Sequence, residues 1–106
     1  MPGTTWKDSE KKIARRVFEA ALQSELADIM ATFKALAANA KEPEDMWKIQ
    51  AFLAHAQRDI DGKYDYRYSQ LELVFGRLLR EKRIYEQDLN GIADEKLANI
   101  LRIAEL

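Results

Sequence analysis

The residues of this chain that could transfer protons are a single histidine and the acidic side chains near it. His55 is the only histidine among the 106 residues. In a helix, a general base needs a partner three or four positions away on the same face. Asp59 is the only acidic side chain at those positions, which otherwise hold Ala51, Phe52 and Arg58. Because a contact between His55 and Asp59 would lie on the surface, we interpret His55 as a surface histidine without a catalytic role.

A run of aspartates leaves a second chemistry open, the binding of a metal ion or small ligand by Asp59, Asp61 and Asp65. Two carboxylates one helical turn apart can contact a hard cation, but calcium sites normally recruit about six to eight oxygens from a loop. The sequence has no EF-hand spacing, no glycine-rich phosphate loop, no Gly-x-Ser-x-Gly turn and no cysteine. We therefore expect no enzymatic activity, no catalytic residues, no metal site and no cofactor.

The charge balance of the chain argues against nucleic acid as a partner. The 17 basic and 18 acidic residues nearly cancel, so the chain has no field that would attract phosphates. No apolar run approaches the roughly 20 residues that span a bilayer. The N-terminal residues also lack the pattern of a secretory signal. We expect a cytoplasmic protein without membrane insertion.

Helix-forming residues dominate the sequence and predict an all-α fold. Neither glycine nor proline occurs between Asp8 and Ala40, so the first helix should begin near Asp8 or Ser9 as its cap and end around Ala40. A helix of roughly 32 residues is about 48 Å long. Its apolar residues recur at alternating intervals of about four and about three positions, which is typical of a helix-packing seam. These residues are Leu22, Leu26, Ile29, Phe33, Leu36 and Ala40.

A second helix is predicted from Pro43, which suits a first helical turn because its missing N–H costs nothing there. Acidic residues around Pro43 favour the positive end of the helix dipole. The apolar residues of this helix recur with the same alternating spacing and let it pack antiparallel against the first helix. They are Met46, Ile49, Leu53, Ala56 and Ile60. Gly62 either ends the helix or lies inside it, and both alternatives are open at this point.

The rest of the sequence predicts a small helical head. Helical spacing resumes up to about Lys82, with Tyr64, Tyr68, Leu71, Phe75 and Leu78. Asn90 and Gly91 predict a turn, and Asp94 is the predicted cap of a final helix. We therefore predict a single domain over residues 1–106. It has a disordered N-terminus at residues 1–7, a long antiparallel helical stem for dimerisation at 8–62 and a head at 63–106.

The length of the first helix predicts a homodimer. A compact domain of this size is only roughly 34 Å across, so a helix of about 48 Å must extend beyond it. Its apolar seam would then face water, and exposed seams of this kind usually mark interfaces. A second copy of the chain is the simplest cover. We place the dimer interface on Leu26, Met30, Phe33, Met46, Trp47, Lys48, Phe52 and Leu53.

Two motifs stand out in the middle of the chain, Trp47-Lys48-x-x-x-Phe52-Leu53 and Ile60-Asp61-Gly62-Lys63-Tyr64-Asp65-x-Arg67. Both resemble motifs of the fluorescence recovery proteins of cyanobacteria. The resemblance implies an all-α homodimer that binds the photoactivated form of the orange carotenoid protein, mainly through that protein's C-terminal domain. Such binding would speed the return to the resting orange form and so end photoprotective non-photochemical quenching.

The resemblance also implies a partner-binding surface on the head, where we place Leu73, Phe75 and Lys96. In the family, a His-Asp pair commonly follows the tryptophan motif, whereas this chain has Gln50 and Ala51 at those positions. The alternative is therefore a homologous helical dimer with a different, unknown protein partner, in an organism that lacks the carotenoid protein.

Overall fold

The computed structural model describes residues 5–106, which form four α-helices and no strand. The helices are α1 (Asp8–Asn39), α2 (Pro43–Lys63), α3 (Leu71–Arg80) and α4 (Asp94–Ala104), with a 3₁₀ helix at Glu86–Leu89. The predicted all-α fold is confirmed. The molecule is elongated, with principal dimensions of 56 × 23 × 21 Å.

The first helix has the predicted length, with 32 residues in α1. The helix begins at Asp8, as predicted, but its N-cap residue is Lys7. The backbone N–H of Lys7 donates to the carboxylate of Glu10 at 2.9 Å. The Glu10 side chain, one turn inside the helix, therefore satisfies the N–H of the capping residue. The prediction of a cap at Asp8 or Ser9 is wrong.

A short connection at residues 40–42 reverses the chain between α1 and α2. Asp45 holds this turn by accepting backbone hydrogen bonds from Glu42 at 3.0 Å and from Lys41 at 2.9 Å. The same two bonds lower the pKa of the Asp45 carboxyl. Pro43 is the first residue of α2, as predicted. The turn is therefore fixed by local backbone contacts and by a proline that begins the next helix.

After this turn, α2 lies antiparallel against the second half of α1. Near the turn, Leu36 and Ile49 line one shared groove. Further from the turn, Leu26 and Ile60 line another. We call residues 26–60 the stem. The predicted antiparallel helical stem is confirmed by this arrangement.

A closed hydrophobic core lies at the opposite end of α1 from the turn. Its fully enclosed apolar side chains include Leu71, Phe75, Leu78, Leu89 and Ile100. The first half of α1 contributes Ala14, Val17, Phe18 and Ala21 to the same core. We call residues 5–22 together with 64–106 the head. The predicted division at residue 62 is corrected accordingly, because the apolar face of early α1 packs against α3 and the 3₁₀ helix.

Trp6 corrects the predicted disorder of residues 1–7. Residues 1–4 lie outside the described part of the chain, but Trp6 is buried, with 5% of its surface exposed. Its indole Nε1 donates to the backbone carbonyl of Tyr68 at 3.2 Å. A tryptophan that buries its ring and satisfies its N–H anchors the segment around it, so the head includes this residue.

The connection between α2 and α3 is held by tyrosines that pack on early α1. The rings of Tyr64 and Tyr66 meet Phe18 edge to face, with centroids 5.4 and 4.9 Å apart. Tyr68 continues the row, 5.7 Å from Tyr66 and 6.1 Å from Trp6. Edge-to-face pairs of this kind stabilise beyond the area they bury. They hold residues 64–67 out of the helix, so α2 passes Gly62 and ends one residue later.

Gly76 and Gly62 offer a matched pair of alanine substitutions with opposite expected effects. A Cβ on Gly76 would clash with the side chain of Ile103 and lie 3.2 Å from the carbonyl oxygen of Ile100. Gly76→Ala should push α3 and α4 apart and lower the free energy of unfolding by about 1–3 kcal/mol. No atom lies within 4 Å of a Cβ at Gly62, so Gly62→Ala should raise that free energy by up to about 1 kcal/mol. Urea denaturation followed by circular dichroism measures both changes, and equal effects would contradict the tight α3–α4 contact.

Candidate functional site at the stem and its junction with the head

The stem exposes apolar side chains that the described residues of the single chain leave uncovered. Although α2 has 21 residues, Lys63 is its only buried one. The exposed fractions are 53% for Met30, 54% for Met46 and 63% for Trp47. Clustered exposure of large apolar side chains usually marks an interaction surface. The stem is therefore the first candidate for a protein interface.

All the residues predicted for the dimer interface lie in this stem. Phe33 and Phe52 are half-buried, and the exposed ones are Leu26, Met30, Met46, Trp47, Lys48 and Leu53. A hairpin of two helices buries only the stripe between them, so apolar residues beyond that stripe need a further layer to cover them. The interface itself stays a prediction, since these positions describe one chain.

The residues predicted to bind a partner on the head lie in different environments. Leu73 is 56% exposed and lines a surface groove. We call it the head groove; it also reaches the end of α2, and its other lining residues are Gly62, Lys63, Asp65, Gln70, Val74, Arg77, Arg80, Ile103 and Leu106. Phe75 has no exposed surface, and Lys96 is only 6% exposed. A folded head therefore keeps both away from any partner, and their assignment to a binding surface is corrected.

Lys96 is buried because it neutralises Glu10 inside the head. Its Nζ lies 3.2 and 3.4 Å from the two carboxylate oxygens of Glu10. Glu10 also accepts the backbone N–H of Lys7 at 2.9 Å and that of Ala93 at 2.8 Å. Burial raises the pKa of Glu10, but these hydrogen bonds and the Lys96 charge outweigh it and lower the pKa. Ala93 is the N-cap of α4, so the predicted cap at Asp94 is wrong.

Lys63 is the centre of a charged cluster where the stem meets the head. Its Nζ lies 2.6 Å from Glu25 of α1, 2.7 Å from Glu81 after α3 and 3.7 Å from Asp59 of α2. Only 2% of the lysine side chain is exposed. Burial lowers the pKa of Lys63, but the hydrogen bonds to Glu25 and Glu81 outweigh it and raise the pKa. The charged lysine thus ties α2 to both neighbouring segments.

Glu25 has two further partners beside Lys63. The hydroxyl of Tyr64 donates to its carboxylate at 2.8 Å. The guanidinium of Arg83 lies 3.6 Å from the same carboxylate and 2.6 Å from Asp28, one turn further along α1. Burial and then the bond to Glu25 raise the pKa of Tyr64, so the phenol stays protonated as a donor. The Glu25 carboxylate therefore has partners both at the C-terminal end of α2 and in the loop after α3.

Arg77 closes the cluster on the side of α3. It donates to Glu81 at 2.8 Å and to Asp59 at 3.0 Å. We call the whole set the junction, consisting of Glu25, Asp28, Asp59, Lys63, Tyr64, Arg77, Glu81 and Arg83. Its four carboxylates face three cations from α2, α3 and the following loop. Such an arrangement can hold helices together, and it contains no activated nucleophile.

The aspartates considered for a metal ion serve other contacts or none. Asp59 pairs with Arg77, and Asp65 accepts hydrogen bonds from Arg67, including one from Nε at 2.9 Å. Asp61 and His55 are exposed. Across residues 5–106, no three His, Cys, Asp or Glu side chains converge as a metal ion would require. Asp59, Asp61 and Asp65 therefore do not converge on a common metal site within these residues.

The junction was missed by sequence reasoning. Glu25 and Lys63 are separated by 38 positions, and Glu10 and Lys96 by 86. Each of these residues resembles the many solvated charges of a chain in which 33% of the residues are charged. The local signals were two spacings of one helical turn, Asp59 with Lys63 and Arg77 with Glu81. A pairing across helices becomes visible only when the fold places the helices.

The similarity of this chain to known proteins extends over nearly its whole length. Within the described residues, no helix is both long and apolar enough to cross a membrane. The family described as photoprotection regulator fluorescence recovery protein matches residues 6–104. The fluorescence recovery protein of Synechocystis sp. PCC 6803 is 36% identical over 101 residues, which cover 95% of this chain and 93% of the relative.

Solved structures agree with the sequence match. The fluorescence recovery protein of Fremyella diplosiphon superposes with a TM-score of 0.93 at 31% identity. That of Synechocystis sp. PCC 6803 superposes with a TM-score of 0.92 at 35% identity. Each comparison covers 96% of this chain and 100% of the solved one. On the combined sequence and structural similarity, this chain belongs to the fluorescence recovery protein family of photoprotection regulators.

Proposed function

We propose that this protein is a non-enzymatic homodimer that binds the photoactivated orange carotenoid protein, mainly at that protein's C-terminal domain. Binding accelerates the return to the resting orange form and ends photoprotective quenching. The observation that carries the proposal is family membership along residues 6–104. The exposed stem and the head groove supply two separate surfaces, one for a second copy and one for the partner. The expected compartment is the cytoplasm.

The stem suits a second copy because its uncovered side chains are apolar and lie on both helices. Met30 of α1 is 53% exposed, and Met46 and Trp47 of α2 are 54% and 63% exposed. Aromatic residues and methionine are enriched in protein interfaces. A two-fold axis beside the stem would let the same patch of each copy cover the other. We therefore retain the predicted interface as the proposed dimer surface.

The head groove suits a protein partner because it combines an apolar anchor with a cation. Leu73 is 56% exposed there, and Arg80 lines the same groove. A large apolar side chain that becomes enclosed on binding contributes strongly to affinity. We propose Leu73 as the contact residue of the head.

Acceleration without bond making requires a difference in affinity between states of the partner. A protein that binds two forms equally well leaves their equilibrium unchanged, and it speeds their interconversion only if it binds the transition state more tightly than the starting form. The regulator must therefore bind the transition state, or a compact resting-like form, better than the photoactivated form. The surface of this chain offers contacts for such binding and needs no catalytic group.

A second candidate is the same dimer with a different protein partner. The observation that favours it is the pair Gln50 and Ala51, which are both exposed on α2. An alanine cannot make the charged contact that an aspartate at that position could make. This candidate keeps the stem and the head groove and differs only in what the head binds.

Size-exclusion chromatography with the illuminated carotenoid protein tests the proposed contact. The wild type should elute with it, and Leu73→Glu should weaken the complex at least about tenfold, or about 1.4 kcal/mol. Tyr85→Glu is the control, because Tyr85 is 60% exposed on the head but does not line the groove. Equal binding by both variants would remove Leu73 from the interface. Absence of a wild-type complex would favour the second candidate.

A further inference from the structure

The second helix of the stem is attached to its own chain in an unusual way. Its apolar residues facing α1 are only half-buried, and they include Ile49, Ala56 and Ile60. Its single buried residue is the charged Lys63 at its last turn. The head core, by contrast, encloses apolar side chains from α1, α3, α4 and the 3₁₀ helix. Apolar burial therefore holds the head together, while α2 depends heavily on ionic contacts near its last turn, made by Lys63 and Asp59.

The position of Lys63 lets a single side chain connect α2 to two other segments. One ammonium bonds Glu25 of α1 at 2.6 Å and Glu81 beyond α3 at 2.7 Å. Without this ammonium, Glu25 would keep only Tyr64 and Arg83 as partners. Glu81 would keep only Arg77. Breaking a buried ion pair from one side is strongly destabilising. The loss of stability would fall on α2, because its two carboxylate partners, Glu25 and Glu81, belong to segments that the head core also fixes. Segments with few buried contacts open locally at a lower free energy than the core does.

We propose that Lys63 and its carboxylate partners form a latch that holds α2 on the protomer, so that α2 is the segment that opens first. With the latch closed and a second copy on the stem, α2 is held at its end and along its face. When the copies separate, the helix is held by the latch and by its half-buried contacts with α1. A free helix of about 20 residues is marginal in water, so α2 loosens while the head stays folded. The role given to the second copy rests on the proposed dimer.

Hydrogen exchange of the full chain, read by mass spectrometry, tests the latch. In Lys63→Met, backbone amides of residues 46–60 should exchange at least about tenfold faster than in the wild type, while amides of α3 and α4 keep their rates. Lys34→Met is the matched control, because Lys34 is exposed on α1. Unchanged exchange in α2 would overturn the proposal.

A milder variant keeps the test decisive if Lys63→Met loosens the whole chain. Glu81→Gln retains the side-chain shape and removes one partner of the ammonium. It should produce the same selective rise in α2, smaller in size. Equal acceleration in α2, α3 and α4 in both variants would overturn the latch.

Dilution separates the latch from the dimer. If light scattering shows the wild type passing from dimer to monomer, exchange in residues 46–60 should rise over the same concentrations. A chain that is monomeric at every concentration would overturn the proposed dimer, while the Lys63→Met comparison would still decide the latch.

Discussion

Replacing Glu10 by alanine is expected to lower the free energy of unfolding by about 3–5 kcal/mol, the range for breaking a buried ion pair from one side. Glu10 is 2% exposed and holds the ammonium of Lys96, whose side chain is 8% exposed. The substitution leaves that charge unpaired and removes the acceptor of two backbone N–H groups, at Lys7 and Ala93. Two helix starts therefore lose their cap together with the ion pair.

Chemical denaturation at neutral pH measures this loss, with Glu19→Ala as the control on the same helix. Glu19 pairs with Arg15 at 3.4 Å, and the two side chains are 47% and 57% exposed. Exposed pairs of this kind contribute at most about 1 kcal/mol. A loss from Glu10→Ala no larger than that from Glu19→Ala would contradict the structural role of the buried carboxylate.

The Glu10 contribution should also depend on pH in a defined direction. Its folded-state pKa lies below the ordinary value of 4.5. A lowered pKa means that the stabilisation is fully present above pH 4.5 and disappears as the pH falls through the folded-state pKa. The difference between the wild type and Glu10→Ala should therefore shrink in acid.

Introducing a carboxylate into the stem should abolish the dimer. In Met30→Glu or Met46→Glu, a two-fold interface would bury the new charge twice, once from each copy. An ionised carboxylate that leaves water without a partner is strongly unfavourable. We expect the dissociation constant of the dimer to rise at least about 100-fold, or about 2.8 kcal/mol.

Light scattering over a range of concentrations measures the change in mass. Met30→Leu and Met46→Leu are the controls, because they keep the apolar character and approximate volume of each side chain. Circular dichroism should show a folded head in all four variants. A dimer mass that both glutamate variants leave unchanged would show that the interface lies elsewhere.

The stem could be predicted from the sequence because its signal is local. The spacing of Leu26, Phe33 and Leu36, uninterrupted by glycine or proline, specifies a long helix with one apolar seam. Pro43 marks the start of the next helix for an equally local reason. A short connection between two such helices then leaves few arrangements other than an antiparallel pair.

The connection after α2 shows where this reasoning fails. Tyr64, Tyr68 and Leu71 have helical spacing, yet the chain leaves the helix after Lys63. Tyr64 and Tyr66 instead pack on Phe18, which lies more than 40 positions earlier. A tertiary contact thus overrides a periodic pattern, and single-sequence periodicity cannot register such a contact.

The charged residues show the same limit more strongly. The family resemblance placed Lys96 at a binding surface, whereas the folded head buries it. Its burial depends on Glu10, 86 positions earlier. The exposed position of Leu73 agrees with the expected surface contact, since 56% of that residue is accessible. Sequence reasoning thus located the exposed stem and missed the buried pairs that organise the head.

Dark recovery of the photoactivated orange carotenoid protein, followed by absorbance with and without this chain, tests the proposed function most directly. Acceleration at stoichiometric amounts is the predicted result, and Leu73→Glu should reduce it while Tyr85→Glu should not. Recovery at an unchanged rate, with no complex on a sizing column, would contradict the assignment of this partner and leave the family fold serving another protein.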